Sequence, residues 1–346
     1  MDLEVKPQKP WALSPKELLY PAVLLFISAI ASFVVVQATA MKGKLAITFL
    51  FFVFSTSSMY FYKLRIRGKQ AAIDSLASSI ALTGALIVFA PVLSILITTI
   101  IKGVPGLHWT LFTETMFKAS YLDPINQGGL LHAIVGTLYL IVLSIIISVP
   151  MGILTALYLT EIKGPGTRFI QFTVQAMSGV PSVVAGLFIF AAIILTTPLK
   201  ASGIVGAFSL SILMIPTVTR TAQEVLNLVP NDLREAGLAM GATQWRTVAS
   251  IVVPAARNGL LTATILGVAR IAGETAPLIF TIGGSDKLNL NPFKDYQGAL
   301  PFYVWKGLLL GTPESIQRAW TGILILLILV LTLFTLARRF GSRKAG

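Results

Sequence analysis

Residues 231–258 lie between two long apolar runs and read NDLREAGLAMGATQWRTVASIVVPAARN. The opening Asn-Asp pair can cap a helix, and Gly241 can end it, because glycine readily adopts the left-handed conformation found just past a helix end. Thr243 can cap a second helix, which would then run to Pro254. We therefore predict two short helices around a turn, with small and apolar side chains that could plug into a groove on another protein.

The apolar runs on either side of this segment are long enough to cross a membrane, since a bilayer core needs about 20 mostly apolar residues per helix. Transmembrane strands would leave about half of their positions polar, whereas these runs are apolar throughout. We therefore predict an all-α integral membrane protein. Its eight candidate spans cover, roughly, residues 18–40, 45–62, 78–101, 133–159, 169–197, 203–222, 259–283 and 320–337.

The composition supports a membrane protein and excludes several other classes. Hydrophobic residues make up 55% of the 346 and charged residues only 12%, about half the charged share of a soluble domain. The net charge of +13 would otherwise suggest nucleic acid, but the apolar excess assigns the basic residues to membrane lipid. Cysteine is absent and histidine occurs only at His108 and His132, so we predict no metal site and no catalytic residue.

The distribution of Lys and Arg predicts the orientation, because cytoplasmic loops carry an excess of both. If both termini are cytoplasmic, most of the 27 Lys and Arg fall in inner segments. The strongest indicators of this orientation are the basic run at 63–69 and the pair Arg338-Arg339. Residues 102–131 and 284–319 then lie outside. The second of these is polar and aromatic, so it is either an interfacial loop or a docking surface for an extracytoplasmic partner.

The inner segment resembles the EAA signature of ABC importer permeases, which reads Glu-Ala-Ala, three residues, Gly, nine residues, Ile, one residue, Leu-Pro. Two positions depart from it with small or apolar residues, Gly237 and Val253. In that family the loop holds the coupling helix, which docks on an ATPase subunit. The residues that match, and that the resemblance implies as ATPase contacts, are Glu235, Ala236, Gly241, Ile251 and Pro254.

The chain shows no ATPase sequence of its own. The phosphate-loop pattern G-x-x-x-x-G-K-[ST] does not occur, and the pairs Gly43-Lys44 and Gly68-Lys69 lack its other residues. We therefore expect that the chain binds no cofactor and that a partner subunit uses ATP if transport is active.

Two arginines lie within or at the edge of predicted spans, where a buried charge costs roughly 2.5–3.5 kcal/mol on insertion scales. Arg270 is near the middle of the seventh span, and Glu274, four residues on, is expected on the same helix face. Because a guanidinium presents a planar fork that matches phosphate oxygens, we predict an oxyanion site in which Glu274 positions Arg270. Thr275 supplies a hydroxyl there or bonds back to its own helix. The alternative for Arg270 and Glu274 is an Arg–Glu pair that only stabilises helix packing. Arg220 either extends a positive path toward the cytoplasm or snorkels to the lipid headgroups.

The residues around Arg270 resemble the permeases of phosphate-specific (Pst) ABC importers. Residues 269–278 read ARIAGETAPL. The stretch Glu-Thr-Ala-Pro within it resembles the corresponding segment of the PstA-type permease more than that of the second permease of these importers. The resemblance extends over roughly 75–346, with further similar stretches at 133–137, 178–188 and 216–220. It implies a six-span ABC importer permease core in residues 75–346 with two extra N-terminal spans, an accessory transmembrane hairpin, in residues 1–74.

The resemblance also implies a function. The chain would form half of a phosphate path, with Arg220, Arg270 and Glu274 as its charged residues, and would itself hydrolyse nothing. Its partners would be a second permease (PstC-type), ATPase subunits (PstB-type) and an extracytoplasmic phosphate-binding protein (PstS-type), with no nucleic acid. Its location would be the inner (plasma) membrane of a prokaryote, as a multi-pass protein.

Three other functions remain open at this point. An ABC permease for sulfate or molybdate would carry the same coupling loop, although the Arg–Glu pair favours phosphate. A self-powered secondary transporter or channel often has internal repeats, and we find none that is convincing. A membrane enzyme such as an intramembrane protease would need a catalytic pair within the bilayer, and no Gly-x-Ser-x-Gly occurs.

Overall fold

The structure, a computed structural model, describes residues 15–39 and 43–342. Within these ranges the predicted all-α class is confirmed, since the only strand-like pairing is an isolated bridge between Gly283 and Gln297. The predicted cytoplasmic termini concern residues outside the described ranges. The helices are α1 (Pro15–Ala38), α2 (Lys44–Gly103), α3 (Thr110–Thr113), α4 (Leu131–Leu157), α5 (Thr167–Ser178), α6 (Ser182–Ile189), α7 (Gly203–Asn227), α8 (Asn231–Ala239), α9 (Gln244–Thr247), α10 (Val253–Ala272), α11 (Ala276–Thr281), α12 (Leu300–Leu310) and α13 (Pro313–Ser342).

The chain divides into two compact units, Met1–Ile95 and Leu96–Gly346. In the first unit, α1 packs antiparallel on the first part of α2. The hydroxyls of Ser28 and Ser58 lie 3.2 Å apart, and the ring centroids of Tyr20 and Tyr62 lie 6.1 Å apart. Many large apolar side chains of these two helices are exposed, as expected of helices that face lipid tails. The division of the chain after residue 74 stays a prediction.

Six of the described helices are long and apolar enough to cross a membrane, and a bent pair would make a seventh. The predicted spans 45–62 and 78–101 both lie on α2, which leaves helical geometry only at Gly68 (φ 85°, ψ −179°). Gly68 lies within the basic run 63–69, so this kink divides α2 into two helices between the two predicted spans. The two parts, residues 44–67 and 69–103, extend about 36 Å and about 52 Å at 1.5 Å per residue, so each is long enough to cross the bilayer core.

The predicted span 169–197 is not one straight helix but a bent pair of helices. The chain bends by 107° between α5 and the apolar segment Ser182–Ile194, so the two cannot cross a membrane in line. Pro181 is extended (φ −60°, ψ 139°), and a proline disfavours helical backbone in the residue before it. A helix of this second segment's length covers only about 20 Å, less than the bilayer core.

The predicted span 259–283 is also divided. Its first part belongs to a helix that begins at Gln244, passes through a π turn at Val248–Val252 and continues as α10. This helix ends at Ala272, and the short α11 follows with Pro277 in its first turn. Proline is favoured there because the N–H that it lacks has no helical partner at that position. Arg270 therefore lies in the last turn of a helix and not in the middle of one.

The core of the second unit is built around α7, which packs between α4 and α10. Sixty-seven per cent of the apolar window of α7 is buried, against 33% for the helices that contain α4 and α10. Glycines permit the close approach, since a Cβ on Gly152 of α4 or on Gly267 of α10 would lie 2.8 Å from a methyl of Val218. Arg220 on α7 and Arg270 on α10 are thereby held on neighbouring helices.

Candidate docking helices and transport path

The segment with the EAA resemblance forms two short helices around a turn, as predicted. Gly241 follows α8 with φ +80°, and the Thr243 hydroxyl accepts a bond from the Arg246 N–H at 3.4 Å. Two details are wrong. The residue that precedes the first turn of α8 is Pro230, without a side-chain cap, and the second helix continues past Pro254 through the π turn.

A glycine holds these two helices together. Gly237 of α8 is buried, and a Cβ there would lie 2.8 Å from Ile251 Cδ1 and from Thr247 Cγ2. The glycine therefore lets the backbone of α8 lie directly on the helix that follows it. We refer to α8, α9 and the connecting turn, residues 231–247, as the docking helices.

Four of the five predicted ATPase contacts lie on the surface. Glu235, Ala236, Gly241 and Pro254 are exposed, whereas Ile251 is half-buried beneath α8. Large apolar side chains surround the exposed positions, including Met240 (88% exposed) and Trp245 (66%). Apolar surface of this kind, next to polar residues, is typical of a site that binds another protein.

An ion pair ties the docking helices to the C-terminal end of α4. The Arg234 guanidinium donates to both carboxylate oxygens of Glu161, with Nη2 to Oε1 at 2.8 Å and Nε to Oε2 at 3.0 Å. Glu161 lies in a π turn, Tyr158–Ile162, at the end of α4. The hydrogen bond that Arg234 donates to this carboxylate raises the pKa of the guanidinium above its ordinary value.

The same guanidinium also binds the end of α7. It donates to the backbone carbonyls of Val229 at 2.6 Å and Leu226 at 2.8 Å. These carbonyls belong to the last residues of a helix and the turn after it, where backbone oxygens lack helical partners. A second tether comes from Gln244, whose side-chain amide donates to the Glu161 carbonyl at 2.6 Å.

The predicted path residues lie elsewhere, on α7 and at the end of α10. Arg220 is exposed on α7, and Arg270 is exposed in the last turn of α10. Within the described residues, neither arginine has a hydrogen bond or ion pair. An unpaired guanidinium on a membrane helix must face water, lipid headgroups or another chain, because lipid tails offer it no partner.

The predicted pairing of Arg270 with Glu274 is not formed. The helix ends at Ala272, and the Glu274 N–H bonds to the Ile271 carbonyl at 3.2 Å in the turn that follows. Glu274 is therefore not one helical turn above Arg270, although both lie in the same short segment. Thr275 precedes the first residue of α11, and in this part of the described chain its hydroxyl makes no bond back to its own helix.

Glycine contacts also set the register of α7 against α10, which run antiparallel. A Cβ on Gly259 would overlap Val225, and one on Gly267 would overlap Val218. Arg270 is thus level with about residue 215 of α7, roughly 8 Å along the helix axis from Arg220 at 1.5 Å per residue. The two unpaired charges lie at different depths, and an anion could meet them in succession.

The sequence interpretation missed Glu161, Arg234 and Gln244. One signal was available, because Glu161 is the only carboxylate between Asp123 and Glu224. A single acid at the inner end of an apolar span needs a partner or water. The sequence does not say which cation approaches it, since Arg234 is 73 residues away.

Two comparisons with known proteins bear on this arrangement. Residues 148–346 match the family model "Binding-protein-dependent transport system inner membrane component". Among solved structures, an inward-facing MetNI methionine ABC transporter shares 20% identity, with a TM-score of 0.46 over 60% of this chain and 90% of that one.

Curated relatives match most of the chain. The phosphate transport system permease protein PstA 1 of Mycobacterium tuberculosis is 34% identical over 265 residues, 75% of this chain and 86% of the relative. The PstA protein of Pasteurella multocida is 39% identical over 262 residues, 72% of this chain and 88% of the relative. With identity at this level over most of both chains and the family model matched, this chain belongs to the PstA family of phosphate transport system permease proteins.

Proposed function

We propose that this chain is the PstA-type permease subunit of an ATP-driven phosphate importer and forms half of the translocation path. The observation that supports this most strongly is its similarity to PstA phosphate permeases over nearly their whole length. The chain is a transport component and not an enzyme, and ATP is bound and hydrolysed by a partner subunit.

The phosphate path would use the two unpaired arginines. Arg270 and Arg220 are exposed on neighbouring helices, and a guanidinium fork matches the oxygens of phosphate. Glu274 and Thr275, in the turn after α10, would shape the outer end of this path. Phosphate would displace water at Arg270 and then pass inward to Arg220 as the path opens to the cytoplasm.

The docking helices would connect this path to ATP. Glu235, Ala236, Pro254 and the exposed apolar residues around Gly241 would contact a PstB-type ATPase subunit, while Ile251 would hold α8 from behind. A PstC-type permease would complete the path, and a PstS-type binding protein would deliver phosphate from outside. This arrangement requires a multi-pass protein of a prokaryotic inner membrane with both termini in the cytoplasm.

The relatives do not favour the other functions. Their names specify phosphate, so a sulfate or molybdate permease is disfavoured. A self-powered secondary transporter is disfavoured by the match to binding-protein-dependent transport components.

The transport role is tested by Arg270→Gln and Glu274→Gln in a strain that expresses the remaining subunits. We expect Arg270→Gln to lower uptake of radiolabelled phosphate about tenfold or more, since a hydrogen bond to a charged group contributes about 1.5–3 kcal/mol and 1.4 kcal/mol is a factor of ten. Glu274→Gln should lower uptake less, because it forms no ion pair with Arg270.

Arg257→Gln is the matched control, since Arg257 is an exposed arginine on the same helix, in its first turns. Membrane levels of each variant are measured by immunoblot, and uptake in the control should equal that of the wild type. Unchanged phosphate uptake in both Arg270→Gln and Glu274→Gln would contradict the proposed path.

A further inference from the structure

We propose that Glu161 and Arg234 form a clamp that makes the docking helices move together with the inner ends of α4 and α7, so that the clamp sets how much substrate is moved per ATP. The proposal rests on the function above, and it assigns positioning roles to Glu161, Arg234 and Gln244. None of the three matches a position of the EAA signature.

The first support is the geometry of the ion pair. Two nitrogens of Arg234 contact two oxygens of Glu161, and such bidentate pairs fix orientation as well as distance. The Glu161 side chain is only 6% exposed and that of Arg234 only 20%. The pair is therefore shielded from salt and water more than an ordinary surface pair.

The second support is that one guanidinium joins three elements. Arg234 lies on α8, its ion pair reaches the end of α4, and its remaining donors bind the Leu226 and Val229 carbonyls at the end of α7. A displacement of α8 is thereby transmitted to the ends of both α4 and α7. Lysine could not make this set of contacts, because its ammonium lacks the planar fork.

The third support is that Glu161 receives a second connection, from α9. Gln244 binds the Glu161 backbone carbonyl at 2.6 Å, so both docking helices are attached to the π turn at Tyr158–Ile162. Lys163 directly follows this turn with a left-handed backbone (φ 51°). A π turn is frequent at functional sites, and here it presents both the carboxylate and the carbonyl.

Without the clamp, α8 would be tied to α4 mainly through the helix that follows it, whose Val248 lies in one buried apolar cluster with Ala156 and Leu157. Gly241 takes a positive φ with open space around it, and the contacts of Gly237 join α8 only to the helix that follows. A displacement of α8 by an ATPase would then be absorbed at these turns. We expect such a transporter to hydrolyse ATP while it moves little substrate.

The experiment uses the whole transporter, purified with its partner subunits and reconstituted in liposomes with its binding protein. Substrate moved and ATP hydrolysed are measured together for Glu161→Gln and Arg234→Ala. We expect the ATP consumed per substrate to rise at least threefold in both variants, with normal subunit stoichiometry. Arg168→Ala is the matched control, because Arg168 is an exposed arginine at the start of α5, outside the docking helices, and its ratio should equal the wild-type ratio.

A cross-linking variant separates positioning from folding. The chain has no cysteine, so Glu161→Cys combined with Arg234→Cys can be joined by a bis-methanethiosulfonate reagent that spans the lost side chains. The ratio of ATP to substrate should be high before cross-linking, return toward the wild-type value after it and rise again on reduction. A wild-type ratio in the assembled single variants, or no response of the double variant to cross-linking, would overturn the clamp.

Running the assay with phosphate, sulfate and molybdate distinguishes the two proposals. If the wild type moves a different oxyanion, the proposed substrate is wrong, and the clamp is judged by the ATP consumed for that anion. If the wild type moves phosphate and the clamp variants keep its ratio, only the clamp is wrong.

Discussion

Arg318 shows how a single side chain can organise a loop, here the loop at residues 123–127. It is 1% exposed, and its Nη2 donates to the carbonyls of Asp123, Pro124 and Gln127 at 3.1, 2.8 and 2.9 Å. Its Nη1 donates to the sulfur of Met116 at 3.7 Å. A buried guanidinium that satisfies several backbone oxygens fixes the loop that contains them.

Replacement of Arg318 by methionine should lower stability without touching the proposed path. Three charge-assisted hydrogen bonds are lost, each worth about 1.5–3 kcal/mol before the loop relaxes, so we expect the unfolding temperature in detergent to fall by at least about 5 °C. Lys200→Met is the control, because Lys200 is exposed. An unfolding temperature within 1–2 °C of the wild type, roughly the effect of a neutral surface change, would show that the loop is held by other contacts.

Residue identity alone did not reveal these roles. The sequence predicts Arg318 as an outer cation and Arg234 as an inner one, and this prediction leaves out their partners. Those partners are backbone carbonyls and a carboxylate far away in sequence, and only the packed helices bring them together. Arg220 and Arg270 stand out in the sequence because an arginine in an apolar run is conspicuous without any partner, and their role in a path stays a prediction.

At the scale of helices, turns were predicted well and helix ends less well. Gly241 and Thr243 act as expected because a left-handed glycine and a capping threonine are local effects. Pro254 does not stop its helix, since it follows a π turn in which the Val253 N–H bonds to Val248 O, and a break in the usual bonding pattern tolerates a residue without an N–H. The end of α10 at Ala272 likewise divided a run that is apolar throughout.

The contact between α8 and the helix behind it depends on the size of residue 237. Gly237→Ala restores the residue typical of the EAA signature and should lower transport less than twofold, because Ile251 Cδ1 and Thr247 Cγ2 are ends of side chains that can shift. The larger side chain of Gly237→Leu cannot be accommodated by such shifts, and overpacking of this kind typically costs 1–3 kcal/mol. We therefore expect this variant to reduce ATPase co-purification about tenfold. The variants are compared by pull-down of the ATPase subunit from detergent extracts. Equal co-purification by the leucine variant would show that ATPase binding does not depend on this packing.

For the whole molecule, apolar composition identified the membrane class but not the number of straight helices. Hydropathy cannot locate the kink that divides α2 at Gly68, and it cannot distinguish a span from a bent segment, as at Pro181. The bend depends on one proline and the kink on one glycine with a positive φ, and neither is visible in the average hydropathy. The orientation rests on the basic residues around Lys63 and Arg338, which are independent of these details.

This orientation predicts opposite accessibility for two exposed side chains. Met240 lies on the docking helices and Leu290 on the segment between α11 and α12, and both are well exposed. Because the chain has no cysteine, Met240→Cys and Leu290→Cys each introduce a single reactive thiol. A membrane-impermeant maleimide should label Met240→Cys only in inside-out vesicles and Leu290→Cys only in right-side-out vesicles. Detergent-opened vesicles give the full signal for each variant as a control. Labelling of both thiols from the same side would contradict the orientation, and with it the placement of the docking helices next to a cytoplasmic ATPase.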